Sequence, residues 1–246
     1  VSVDPAIRCT GLSKVYGLGA EVSLQTTLRQ ALGRAPSTEP FYALHDVSFE
    51  VPRGALFGIV GQNGSGKSTL TSVIAGISVP SSGTVDVWGR VLPLLEVGAG
   101  FHEELTGREN IELLGTILGL EPPEITAATP DIIEFSGIAR HMDTPMKRYS
   151  SGMRARLSFA TAIGFPADIY VFDEILAVVD DDFRSRCSEA LQALHDQGST
   201  VILMSHDLEF IRSTCETGMW LDRGVVRCTG DIATVTNAYS EHPTVD

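Results

Sequence analysis

The run Gly61 to Ser68, GQNGSGKS, constrains this chain more than any other segment. It fits G-x-x-x-x-G-K-[ST], and the pattern has physical content only when a buried strand precedes it and a helix follows. Both neighbours have the right character. Leu56 to Val60 are apolar or glycine, and Ser68-Thr69-Leu70-Thr71 with Val73, Ile74 and Ala75 suit a helix. Small residues at Gly61, Gly64 and Gly66 let the loop wrap closely around Gln62, Asn63 and Ser65. Successive backbone N–H groups then point inward, and the helix N-terminus adds partial positive charge. Such a loop cradles the phosphates of a nucleoside triphosphate. Lys67 is placed to neutralise the β- and γ-phosphates, Ser68 to ligate magnesium and Thr69 to help hold a phosphate.

The 246 residues are enough to bury a substantial core, and the chain reads as ordinary globular protein. A net charge of −13, with only 18 Lys and Arg, argues against a general nucleic-acid binder. Cys9, Cys187, Cys215 and Cys228 lack C-x-x-C spacing, which favours reduced thiols over a disulfide framework or zinc site. No signal peptide is read at the start, and no apolar run approaches the roughly 20 residues of a membrane helix. Work at a membrane would need a partner.

Leu56 to Val60, Ile169 to Phe172 and Val201 to Met204 read as strands of one parallel α/β sheet. Ile7 to Tyr16 and Ala43 to Val51 alternate like antiparallel strands. The long connection between them, Gly17 to Pro40, carries a helix-like stripe at Leu24, Leu28 and Leu32. The portion from about 101 to 160 is Leu/Ile-rich and reads as helical at Ile111 to Leu120 and Ile132 to Arg140, with Pro122-Pro123 and Pro130 as interruptions.

Ile169 to Phe172 ends in Asp173-Glu174. Beside a phosphate loop, Asp173 can organise Mg²⁺ through its water shell and Glu174 can reach an attacking water as general base. About twenty residues earlier stands Tyr149-Ser150-Ser151-Gly152-Met153, leading into a helical run at Arg154 to Ile163; Ser150 suits an N-cap there. Asp180 follows Asp173 by seven residues, and Ser205-His206 closes the strand Val201 to Met204.

This order of motifs resembles the ATP-binding subunits of ABC transporters over nearly the whole chain. The segments Leu94 to His102, Leu105-Thr106-Gly107-Arg108-Glu109-Asn110 and Asp173 to Val178 look like the polysaccharide-export branch, which handles O-antigen, teichoic acid, capsule and related glycans. The resemblance implies a P-loop NTPase fold: a parallel core sheet, an antiparallel β subdomain and a helical subdomain, in a single domain over 1–246 with no carbohydrate-binding domain after it. It implies a homodimer sandwiching two ATP molecules with Mg²⁺, each held by the phosphate loop of one copy and by Ser150, Ser151 and Gly152 of the other. His206 corresponds to a histidine that contacts the γ-phosphate, Asp180 to an aspartate at the dimer interface and Tyr16 to an aromatic residue stacking on adenine. Tyr42 competes for that last role because it lies nearer the loop in sequence. Glu96 stands where the family has a magnesium-linking glutamine. Tyr149 to Met153 departs from the usual L-S-G-G-Q at three of five places, and Val179 replaces a glycine.

The implied activity is ATP hydrolysis driving export of a lipid-linked glycan through a separate membrane-spanning permease, with this chain peripheral on the cytoplasmic face of the bacterial plasma membrane. The stretch Leu94 to Asn110 is the expected permease contact. The competing readings are a soluble ABC ATPase of translation or DNA repair and a module that binds ATP without turnover.

Overall fold

A computed structural model describes residues 4–17, 40–94, 100–173 and 180–242. The stripe Leu24, Leu28, Leu32, the residues Glu96 and Glu174, and the segment up to Val179 lie outside them.

Nine strands form two sheets among the described residues. The larger contains β3 (Leu56–Val60), β5 (Val91–Leu94), β6 (Ile169–Asp173), β7 (Thr200–Met204), β8 (Thr217–Asp222) and β9 (Val225–Asp231), in the order β5-β6-β7-β3-β8-β9. All neighbours are parallel except β8 and β9, which form an antiparallel hairpin. The smaller sheet has the order β2-β1-β4, with β1 Pro5–Gly17, β2 Pro40–Pro52 and β4 Ser82–Val87, all antiparallel.

The three strands read from sequence, β3, β6 and β7, are buried at every residue. Strand alternation sends their side chains to opposite cores, and burial on both faces is why they read as continuous apolar runs. On one face Phe57, Ile59, Val171, Ile202 and Met204 meet the small sheet and helix α1 (Lys67–Ile74). On the other, Leu56, Val60, Tyr170, Phe172, Val201 and Leu203 meet a second core built with helices from the rest of the chain. Those helices are α2 (Gly107–Ile117), α3 (Pro122–Ser136), α4 (Ser151–Gly164), α5 (Asp181–Asp196), α6 (Leu208–Thr214) and α7 (Ile232–Glu241).

The prolines act differently from the sequence expectation. Pro122 and Pro123 open α3 rather than interrupting a helix, because the missing N–H is not needed at N1. Glu121 N donates to Glu124 Oε2 at 2.7 Å and completes the start. Pro130 lies inside α3. It and Thr126, whose carbonyl it leaves without a helical donor, are both exposed, so water can take that bond. Helix α3 ends at Ser136 before Gly137 (φ +67), and Ala139–His141 is a separate 3-10 turn, so Ile132 to Arg140 is not one helix.

In the middle of the core sheet Gly58 of β3 and Gly218 of β8 are register partners. A Cβ on Gly58 would stand 2.9 Å from Ile232 Cδ1, and one on Gly218 would stand 2.3 Å from the Gly58 carbonyl oxygen. The glycine pair makes the groove that receives α7. Gly218→Ala is expected to destabilise the fold by about 1–3 kcal/mol through overpacking against backbone, measured as a lowered urea midpoint at unchanged slope.

Candidate nucleotide site

Strand β3 ends at Val60 and α1 begins at Lys67, so six residues must reverse the chain. Three glycines make this possible for different reasons. Gly66 caps α1 at φ +107, and a Cβ there would lie 2.6 Å from the Ala43 carbonyl of β2. A Cβ on Gly61 would lie 2.3 Å from the Leu221 carbonyl of β8 and 2.6 Å from Ser65 Oγ. Gly64, at φ +79, has open space around it and is needed only for its backbone angle. The loop is gripped from behind. Gly224 N donates to the Ser65 carbonyl at 2.8 Å, and His45 N donates to the Gly224 carbonyl at 2.8 Å. Arg223 and Gly224, both at positive φ, form the tight turn between β8 and β9 that allows this approach.

Lys67 is buried, and its Nζ donates to the carbonyls of Gly61 at 2.7 Å and Gln62 at 3.0 Å. A cation is thus stored inside a loop whose N–H groups and helix N-terminus already favour an anion. Ser68 Oγ donates to Asp173 Oδ2 at 2.7 Å, joining the first turn of α1 to the end of β6. Asp173 itself is buried. Thr69 follows in the same turn, and Gln62, Asn63 and Ser65 line a cavity of 680 Å³ on the loop's outer flank with Trp220, Arg223 and Arg227. Ser65 Oγ is buried without a hydrogen-bond partner.

These residues fit a magnesium nucleotide. The cradle is one that a Cβ would fill, and the Ser68–Asp173 pair is an all-oxygen donor set. Among the described residues no three His, Cys, Asp or Glu cluster as a metal cage. An oxygen pair beside an anion cradle suits Mg²⁺, which binds through one or two protein oxygens, waters and substrate phosphates.

The structure places the remaining sequence candidates elsewhere on the chain. Ser150 and Ser151 are exposed at the start of α4, where Ser150 Oγ accepts from Met153 N at 3.2 Å; Gly152 follows in the first turn. Tyr149 is buried beneath them and donates its hydroxyl to the His141 carbonyl at 2.7 Å. A stacked series Phe135, Phe159, Phe172 and Tyr170 ties α3 and α4 to β6, with centroid spacings of 6.0, 5.3 and 6.3 Å. Asp180 caps α5, accepting from Phe183 N at 3.0 Å, and pairs with Arg156 of α4. His206 is exposed between β7 and α6. Tyr16 and Tyr42 stand exposed on neighbouring strands, with Tyr16 opposite Phe41 and Tyr42 opposite Val15. Tyr42 is one residue from the Ala43 carbonyl that touches Gly66. Strands β5 and β6 precede Glu96 and Glu174, and Leu94, the last residue of β5, is the register partner of Phe172, next to last in β6.

Three contributors were not legible as such. Asn110 is fully buried; its Nδ2 donates to the carbonyls of His102, Leu105 and Thr106, and its Oδ1 accepts from His102 N at 2.6 Å, which fixes the loop entering α2. A polar residue opening the apolar run at Ile111 was the available signal. Arg184 pairs with Asp207, Nη1 to Oδ2 at 2.8 Å, and Arg156 with Asp180; neither arginine carries a local signal. The Phe183 N–H, then Arg156, holds the Asp180 carboxyl below its usual range. The Phe210 N–H, then Arg184, does the same for Asp207. Their stabilising contribution is present above the ordinary carboxylate range and is lost as pH falls through the lowered folded values.

The ABC transporter family profile matches residues 44–177, more than half of the chain. The chain belongs to the ABC transporter family. It is 42% identical over 214 residues to the teichoic acids export ATP-binding protein TagH of Bacillus anthracis, covering 87% of this chain and 39% of that protein. It is 42% identical over 199 residues to the O-antigen export system ATP-binding protein RfbB of Myxococcus xanthus, covering 81% and 46%. With the ABC transporter protein AbcA of Aeromonas salmonicida it shares 39% identity over 236 residues, covering 96% and 76%. The chain therefore spans less than half the length of the TagH and RfbB relatives just named. Among solved structures, the dimeric post-hydrolysis state of the cassette MJ0796 bound to ADP and Pi superposes with a TM-score of 0.76 at 19% identity, covering 92% of this chain and 98% of that one. That likeness shows the shared fold.

Gly66→Ala is expected to weaken binding of a fluorescent ATP analogue by about tenfold or more, because both its backbone angle and the Ala43 carbonyl oppose a side chain. Gly64→Ala, opposed by its angle alone, should cost less in the same titration.

Proposed function

We propose that this chain is the ATP-hydrolysing subunit of a bacterial exporter of a lipid-linked polysaccharide. Two copies act at the cytoplasmic face of the plasma membrane against a separate membrane-spanning permease, and no nucleic acid is involved. The observation that carries the ATPase part is the Ser68–Asp173 hydrogen bond at the mouth of the glycine cradle that encloses Lys67. The transported class is supported by the names of the relatives, which are teichoic-acid and O-antigen export subunits. The names of these relatives do not favour a translation or repair ATPase.

Lys67 exchanges its two loop carbonyls for the β- and γ-phosphates, so binding replaces an internal dipolar contact with a charge pair. Ser68 and Asp173, already joined by a hydrogen bond, would hold Mg²⁺, with Glu96 as a further candidate ligand. The metal supplies neutralisation of charge on the phosphate oxygens. Glu174 orients a water and takes its proton as the new P–O bond forms and the bond to the β–γ bridging oxygen breaks. His206 touches the γ-phosphate from its own chain. The exposed N-terminus of α4, with Ser150, Ser151 and Gly152, reaches it from the partner copy, and Asp180 lies at the interface between the copies. Gln62 to Gly66 and Thr69 hold the phosphate chain, and Tyr16 or Tyr42 stacks on adenine. The loop that Asn110 fixes, within Leu94 to Asn110, is the permease contact.

Glu174→Gln is expected to lower phosphate release by about 10²-fold or more while leaving ATP binding in place. A tagged copy purified from native membranes should bring down a multispan membrane protein, with ATPase activity abolished by the same substitution. Normal turnover in Glu174→Gln would overturn the base assignment, and recovery of ribosomes or repair proteins would overturn the exporter reading.

A further inference from the structure

His206 sits on a short segment with unequal supports. On its N-terminal side, Met204 is buried and paired in register with both Asp173 and Ile59, so the sheet fixes the chain firmly there. On its C-terminal side the chain enters α6, a helix of only seven residues, too short to hold its own first turn without outside help. That help comes from Asp207, the residue next to the histidine. Its Oδ1 accepts from Phe210 N at 3.1 Å, its Oδ2 accepts from Arg184 Nη1 at 2.8 Å, and its own N–H donates to Ser205 Oγ at 3.0 Å. Every one of these bonds limits how the turn 205–207 can rotate.

Arg184 is suited to act as a fixed post. Its backbone N–H donates to the Asp180 carbonyl at 2.9 Å as the first regular bond of α5, and its guanidinium lies 5.8 Å from the Phe210 ring centroid. The two side chains of the ion pair are 36% and 29% exposed, so the pair is partly withdrawn from water and less screened than a surface pair. The start of α5 is anchored in turn by Asp180, which caps it and pairs with Arg156 of α4. A rigid helix therefore presents a cation to the residue adjoining the histidine.

We propose that Arg184 is a positioning residue for His206: by pairing with Asp207 it fixes the turn that aims the histidine at the γ-phosphate. The inference rests on the reading of His206 given above. Its loss should misplace the histidine without touching the phosphate loop, so turnover falls while nucleotide affinity does not.

The test compares Arg184→Gln, Asp207→Asn, His206→Ala and the double variants pairing each of the first two with His206→Ala. ATPase rate, affinity for ATP and the urea midpoint are measured for each. Asp207→Asn removes the charge that Arg184 meets but keeps an oxygen able to cap α6, since Asn and Asp cap equally well; it serves if Arg184→Gln does not fold. The expected result is a kcat about tenfold lower in either single variant, ATP affinity within about twofold of the parent, and no further loss when His206→Ala is added. Arg184→Lys should restore part of the rate. A merely structural role would instead show losses that add to that of His206→Ala and track the urea midpoint, and this would overturn the inference. If His206→Ala lowers turnover while Arg184→Gln and Asp207→Asn do not, the inference fails and the ATPase reading stands. If His206→Ala itself leaves turnover unchanged, the role of His206 fails and the inference falls with it.

Discussion

The contact between Gly66 and the Ala43 carbonyl governs much of the arrangement around it. Because Gly66 adopts a left-handed angle with no room for a Cβ, the chain leaving β3 turns tightly enough for α1 to start at Lys67, with its side chain folded under the loop. The same closeness requires β2 to press against the loop from one side and the β8–β9 turn from another. Two separate parts of the fold thus converge on six residues. A cation enclosed among backbone carbonyls and N–H groups is costly to bury unless it is well paired, and the two carbonyls of Gly61 and Gln62 meet that requirement until a polyanion replaces them.

Around this loop the sheet acts as a frame. Strands β6 and β7 flank one another and carry Asp173 and the approach to His206 at their C-terminal ends, the usual edge for ligands in open α/β sheets. The stacked aromatics from Tyr170 to Phe135 attach the helices beneath to that frame, so the N-terminus of α4 is held at a defined place although it meets no part of the loop within its own chain through any described hydrogen bond. On the function proposed above, this exposed helix start, with Ser150 and Ser151, is the half-site that a second copy completes.

Much of this was legible because the decisive signals are local. The phosphate loop is eight consecutive residues, and β3, β6 and β7 are buried on both faces, so each is an unbroken apolar run. Strand β5 was obscured by Pro93, which is tolerable because β5 is an edge strand. In β8, Gly218 interrupts the apolar pattern to make room for α7. Helix α3 tolerates prolines that a local reading takes as breakers, because Pro122 and Pro123 occupy its first turn and Pro130 its solvent face. The pairs Arg156–Asp180 and Arg184–Asp207 join residues more than twenty positions apart, and only the packing of α4, α5 and α6 brings them together. The proposed role of Glu174 rests on its place directly after Asp173, the last residue of β6, and that of Glu96 on the resemblance.

In the proposed function a loop receives phosphates and a helix start meets them from another copy. Hydrogen exchange of the Glu174→Gln protein, with and without ATP and Mg²⁺, tests both together. The expected result is slowed exchange at residues 61–69 on nucleotide addition, and slowed exchange at 150–154 that grows with protein concentration. Unchanged exchange at 61–69 under saturating nucleotide would contradict it.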